Sequence, residues 1–253
     1  MGLDRLLRNI QNLVGPKTTD LAQEVLGSRG TRLVREFAGR TARHRIQISC
    51  NRESIGQGVD AWTISPDFMP SHGVVYSLGV GNVIRSDLDL IKRFRAEVFA
   101  FDPTPGAIAW IKQQSVPHQF HFIEYGIMDY DGIAQFQHFG GVQYGPRVSI
   151  SQRNGTIDVQ VRRLATMMKR LSHSKIDLLK INIEGGEYAV IADLIASQLD
   201  VGQIVVEFHH RLPGYSIQQT KQAVRALTDC EYKIFHIAEN GKEYSFIKPT
   251  GKV

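Results

Sequence analysis

Val74-Val75-Tyr76-Ser77-Leu78-Gly79-Val80-Gly81-Asn82 is the stretch on which the fold turns. Val74, Val75, Tyr76 and Leu78 suit a buried β-strand, and that strand runs into two closely spaced glycines. Neither Gly79 nor Gly81 carries a Cβ, so the backbone there can turn sharply and approach a ligand. Ser86-Asp87-Leu88-Asp89-Leu90-Ile91 then opens a helix, whose first turn offers free N–H groups and the positive end of the dipole. Many βα turns hold two glycines for packing alone. The pair gains meaning from Glu97-Val98-Phe99-Ala100-Phe101-Asp102, a second apolar strand that ends in a carboxylate. This is about the separation at which nucleotide-binding α/β folds hold a ribose hydroxyl.

Outward from this unit, strands and helices alternate, which predicts an α/β fold around a parallel sheet. Further strands are expected at Gln119–Glu124, Lys175–Ile181 and Gln203–Phe208. Helices are expected after Pro105, over Leu164–Leu171, from Glu187 onward, and over Ile217–Leu227. Ile133–Phe139 and Ile157–Val161 read as additional strands joined by a Gly/Ser/Asn-rich loop. Tyr144–Ser149 in that loop is a candidate gate for an acceptor pocket. Near the end, Asn240-Gly241 is a strong two-residue hairpin signal between Tyr232–Ala238 and Tyr244–Lys248. A parallel sheet closing in an antiparallel hairpin is unlike the nicotinamide-binding fold, which repeats a second βαβ half. It matches the Rossmann-like sheet of class I S-adenosylmethionine-dependent methyltransferases.

Before residue 70 the pattern differs. Leu3, Leu6, Leu7, Ile10, Leu13 and Val14 recur at amphipathic-helix spacing, and Gly15-Pro16 ends the run. His44–Cys50 and Val59–Ile64 alternate like strands, and turn chemistry over residues 65–71 marks a boundary. The expected organisation is a basic helical extension over 1–70 and a catalytic domain over 71–253. Residues 1–50 hold nine Lys/Arg against four Asp/Glu, which accounts for the whole formal charge of +5. The arginines within 29–45 suit either a solvated helix face or contact with an anionic membrane. Phe37 alone interleaves with them, too few aromatic residues for the stacking that a binder of single-stranded nucleic acid needs, so no nucleic-acid partner is expected. No apolar run is long enough to span a bilayer, the first residues lack a signal-peptide core, and the two cysteines lie far apart. A cytoplasmic location is the resulting expectation.

Four segments resemble the FkbM-type methyltransferase family: Val75–Gly81, Phe101-Asp102-Pro103-Thr104-Pro105, Ile176–Glu187 and Val206–Arg211. Ile183-Glu184-Gly185-Gly186-Glu187 is the most specific of them, and the resemblance runs from about residue 73 to the C-terminus. It implies a class I methyltransferase fold, S-adenosylmethionine as donor, and O-methylation of a hydroxyl on a sugar, glycoconjugate or small natural product. The family usually has Asp where this chain has Asn182. That difference favours the rival reading of a non-catalytic scaffold or binding protein that retains the fold.

Candidate roles follow residue by residue. Gly79 and Gly81 would admit the amino-acid and ribose portion of the donor. Asp102 would accept from the ribose hydroxyls, or cap the turn before Pro103. Ile127 would face adenine and Asp129 would accept from its amine, unless both belong to an ordinary turn. Glu184 stands near the expected donor amino group or the reacting centre, or caps the helix containing Glu187. Glu207 and His209 alternate around Phe208 and so share a face. His209 is the expected general base with Glu207 orienting it. Reading Glu184, Glu207 and His209 as metal ligands is a minority alternative, because their spacing carries no metal signature and no metal is expected.

Overall fold

The computed structural model describes residues 44–140, 143–146 and 155–249. Thirteen strands alternate with five α-helices among them. The strands are β1 (Glu53–Ile55), β2 (Trp62–Ile64), β3 (Val74–Leu78), β4 (Glu97–Phe101), β5 (Phe120–Ile123), β6 (Gly126–Ile127), β7 (Gly132–Gly140), β8 (Gln143–Pro146), β9 (Thr156–Arg162), β10 (Ile176–Ile181), β11 (Val201–Glu207), β12 (Lys233–Ile237) and β13 (Glu243–Ile247). The helices are α1 (Arg85–Phe94), α2 (Pro105–Ile111), α3 (Leu164–Arg170), α4 (Glu187–Ala196) and α5 (Ile217–Asp229).

The central sheet has seven strands in the order β12-β13-β11-β10-β3-β4-β5. Parallel pairing joins β11, β10, β3, β4 and β5, while β13 runs antiparallel to both β11 and β12. The order reverses between β3 and β10, so their carboxyl ends open a crevice, the place where open α/β sheets bind ligands. Every residue of β10 is buried, as expected for a central parallel strand covered on both faces.

Two helical layers cover the sheet. Leu164, Met167, Val190, Leu194, Val224 and Leu227 from α3, α4 and α5 pack on the face that carries Tyr76, Leu179 and Val206. Leu90, Ile91 and Ile111 from α1 and α2 pack on the other face, against Val75, Val98 and Leu178. Ile55, Trp62, Ile64 and Met69 complete this second cluster. The expected division at residue 70 therefore runs through a shared core: four apolar side chains from 55–69 are buried against the sheet. Ser65 N–H also donates to Gln203 Oε1 at 2.6 Å.

His44–Cys50 forms no strand; Gln47 instead pairs its N–H and side-chain oxygen with the backbone of Ile234 at the sheet edge. The helices expected before residue 44, and nearly all of the basic 29–45 stretch, lie outside the described residues. No helix among the described residues is long and apolar enough to cross a membrane.

Between β5 and β10 the chain inserts a four-stranded sheet, ordered β6-β9-β7-β8. Gln143–Pro146, read from sequence as loop, is strand β8, paired antiparallel with β7. Residues 147–149 of the expected gate lie outside the described set. Met128, Ala134, Phe136, Val159 and Val161 form this sheet's own small core.

Candidate active site

A cleft of about 460 Å³ opens at the carboxyl ends of β3, β4, β10 and β11. That lies within the roughly 300–1,000 Å³ typical of small-molecule sites. Its floor is the glycine turn. Gly79 adopts φ +85°, and a Cβ there would meet the Asn182 carbonyl oxygen at 1.8 Å. Only glycine permits β3 and β10 to close at that point. Gly81 differs: at φ +55° a Cβ would meet nothing within 4 Å. Gly81 therefore lays bare backbone along the cleft that it lines.

Asp102 fixes this turn. One carboxylate oxygen accepts from Val80 N–H at 3.0 Å and Gly81 N–H at 2.9 Å. The other accepts from Thr104 N–H at 2.9 Å and Thr104 Oγ at 2.6 Å. Thr104 in turn caps α2. An ionised carboxylate offers about four acceptor positions, and four are engaged here. The ribose role and the turn role were alternatives in sequence; Asp102 lines the cleft while holding both turns that border it.

Ile127 lines the cleft, with Met128 and Phe136 beside it. Asp129 does not: it is exposed and outside the cleft wall. Met128, one residue earlier, turns inward in its place, because Met128 N–H pairs with the Arg162 carbonyl and holds the segment against β9. Phe136 was not foreseen. The inserted sheet brings it to the cleft across a sequence gap that local patterns do not span.

The opposite end carries the titratable groups. Glu184, Glu207 and His209 all line the cleft. His209 Nε2 lies 3.4 Å from Glu184 Oε2, and His209 Nδ1 lies 3.3 Å from Glu187 Oε1. The Nδ1 contact has ion-pair separation without hydrogen-bond alignment. Glu187 is wholly buried. Its Oε1 accepts from His209 N–H at 2.7 Å and its Oε2 from Gly185 N–H at 2.8 Å. One carboxylate thus ties the end of β10 to the end of β11. Sequence reading assigned Glu187 only to the helix start; a signal lay in its place directly after Gly185-Gly186 and three residues beyond Glu184.

The expected partnership of Glu207 with His209 is corrected. Glu207 pairs with Lys242 on the β12–β13 hairpin, because β13 lies directly beside β11 in the sheet. Glu184 and Glu187 flank the imidazole instead. Burial works to lower the His209 pKa, but the Glu187 contact and charge, with Glu184 and Glu207 behind them, raise it above the ordinary value. Burial raises the Glu184 pKa; Glu207 and Glu187 add to the rise, which His209 and Lys242 oppose. Glu184 also holds a left-handed backbone, φ +49°, a strained state that concentrates at functional positions. Among the described residues no group of three or more His, Cys, Asp or Glu is arranged to hold a metal ion, so the alternative of Glu184, Glu207 and His209 as ligands gains no support.

The cleft fits a nucleoside-bearing donor on its own features. Bare backbone lies at Gly81, an apolar wall at Ile127, Met128 and Phe136, and Asn182 Oδ1 is buried with no hydrogen-bond partner. With the 3-2-1-4-5-7-6 strand order, counting only central-sheet strands along the chain, these features define a class I S-adenosylmethionine-dependent methyltransferase. Residues 80–234 match the methyltransferase FkbM domain, and the chain belongs to that family.

The rat and human proteins described as probable methyltransferase-like protein 24 are each 29% identical over 91 residues. That stretch is 33% of this chain and 25% of theirs. Among solved structures, the Methanococcus jannaschii fibrillarin pre-rRNA processing protein is similar at TM-score 0.42 and 12% identity, over 80% of this chain and 84% of that one. Aeropyrum pernix fibrillarin, with natively bound S-adenosyl-L-methionine, is similar at TM-score 0.40 and 10% identity, over 72% and 68%.

Proposed function

We propose that this protein O-methylates a hydroxyl of a sugar, glycoconjugate or small natural product, with His209 as the general base. The observation that supports this most is the imidazole held in the cleft between Glu184 and Glu187. A hydroxyl is a weak nucleophile, and a base placed beside it assists attack. The Glu187 charge faces Nδ1 at 3.3 Å and favours the proton on that side of the ring, which leaves the Nε2 lone pair to accept the hydroxyl proton. Glu184 beside Nε2 stabilises the imidazolium that forms. The paired Glu207 and Lys242, with Arg211, line the same end of the cleft and supply donors and acceptors for a polyhydroxylated acceptor.

When bound, S-adenosylmethionine supplies a methyl group already activated on a sulfonium. The chain then has to position and desolvate, rather than to generate a reactive species. Gly79, Gly81, Asn182 and Ile127 would hold the donor, with Asp102 acting from beneath through the turn it fixes.

The test is transfer of labelled methyl from S-adenosylmethionine to a panel of sugars and polyols. The expected product carries a base-stable methyl ether, and His209→Gln lowers turnover by about a hundredfold or more. Methylation at nitrogen only, or full turnover in His209→Gln, would refute the assignment.

A further inference from the structure

Lys180 is a charged residue of β10 set between Leu179 and Ile181, and it is 2% exposed. Its ammonium donates to Asp60 Oδ1 at 2.9 Å and Ser86 Oγ at 2.7 Å, with Asp87 Oδ2 at 3.5 Å. Burial works against its charge, but Asp87 and Asp60 outweigh it. Asp60 also accepts from Trp62 Nε1 at 3.1 Å and from Ser86 N–H at 2.7 Å. It therefore ties the Gly56–Asp60 turn to β10 and to the first turn of α1.

A buried ion pair seldom adds net stability over apolar packing of the same volume. What this one contributes is location. Both anchors adjoin the walls of the glycine turn: Ser86 follows Gly81 by five residues, and Lys180 precedes by two the Asn182 whose carbonyl abuts Gly79. The tethered turn is also tight, since a Cβ on Gly56 would meet the Asp60 carbonyl oxygen at 2.0 Å.

The turn presents Val59. Four large apolar side chains are exposed among the described residues, and Val59, at 92%, is the most exposed. It is also the one of the four that lines the cleft. An apolar side chain held out over a binding cleft by buried charges gains its stabilisation when a ligand covers it.

We propose that Val59 is a donor-contact residue, and that Asp60, through Lys180 and Ser86, is the positioning residue that holds it over the bound donor. The inference rests on the donor reading of the cleft.

The probe is S-adenosylmethionine itself. The chain has two tryptophans, so Trp110→Phe leaves Trp62, hydrogen-bonded to Asp60, as the sole tryptophan for selective excitation. Donor should change Trp62 emission saturably, at the dissociation constant found by calorimetry. Val59→Gly should weaken donor binding about tenfold, from the lost apolar contact. Val59→Ile should stay within about twofold of the parent. Asp60→Asn should weaken binding as Val59→Gly does, and the double variant should be no weaker than Asp60→Asn alone.

Since Val59 is exposed, its variants test the contact whether or not Asp60→Asn folds. A Val59→Gly affinity within about twofold of the parent, while the parent binds donor, would overturn this inference and leave the donor reading standing. Additive losses in the double variant would overturn the Asp60 role. A folded parent that binds no donor would overturn both readings.

Discussion

Glu187 Oε1 accepts the backbone N–H of His209 at 2.7 Å, across the gap between β10 and β11. A side chain at the start of one helix thereby sets where the next strand delivers its imidazole. Glu187→Gln keeps the volume but loses one of two acceptor oxygens, turning an amide toward a buried N–H. The expected cost is about 2–3 kcal/mol in urea unfolding. A cost below about 0.5 kcal/mol would mean the carboxylate does not brace the site.

The same contact has a pH signature. A His209 pKa held above its ordinary value keeps the imidazole protonated to higher pH. Turnover that needs the neutral base should rise with pH, with a midpoint above the ordinary 6.5 of histidine. Glu187→Gln should move that midpoint down. The stability linkage has the opposite slope. A raised folded-state pKa gives stability that is complete below the unfolded value and is lost as pH rises through the folded one. Wild type should therefore lose stability relative to His209→Gln above pH 6.5. A pH–rate midpoint at or below 6.5 in kcat/KM would contradict the arrangement.

The two glycines of the first turn should separate stability from binding. Gly79→Ala drives a methyl into the Asn182 carbonyl and should cost about 3 kcal/mol or more. Gly81→Ala meets open space and should cost only about 1 kcal/mol, from its left-handed backbone. Its larger effect should be on donor affinity, read by calorimetry. Equal stability losses in the two variants would contradict this division.

Asp102 should behave as a brace as well as a wall. Asp102→Asn leaves one acceptor oxygen where two carboxylate oxygens serve four donors. Unfolding should be easier by about 1–3 kcal/mol, and donor affinity should fall with it. A variant of unchanged stability and unchanged affinity would remove Asp102 from the site altogether.

Much of this was legible in the sequence because the signals are local. The Gly79 turn, the strand ending at Asp102, and the Asn240-Gly241 hairpin each declare themselves within a few residues, and all lie where the pattern put them. The residues that escaped work across the fold. Glu187 binds an amide 22 positions away, and Asp60 binds an ammonium 120 positions away. Alternation placed Glu207 and His209 in one cleft, yet could not see that β13 would bring Lys242 to claim Glu207. Lys180, a charge inside a run of Ile and Leu, was a local sign that a buried partner existed. The partner's identity was a tertiary fact.

Isothermal titration of S-adenosylmethionine into the folded protein is the most direct measurement of the central claim. The account predicts a saturable, one-to-one heat that S-adenosylhomocysteine competes away. A cooperatively folded protein that gives no such heat would contradict it.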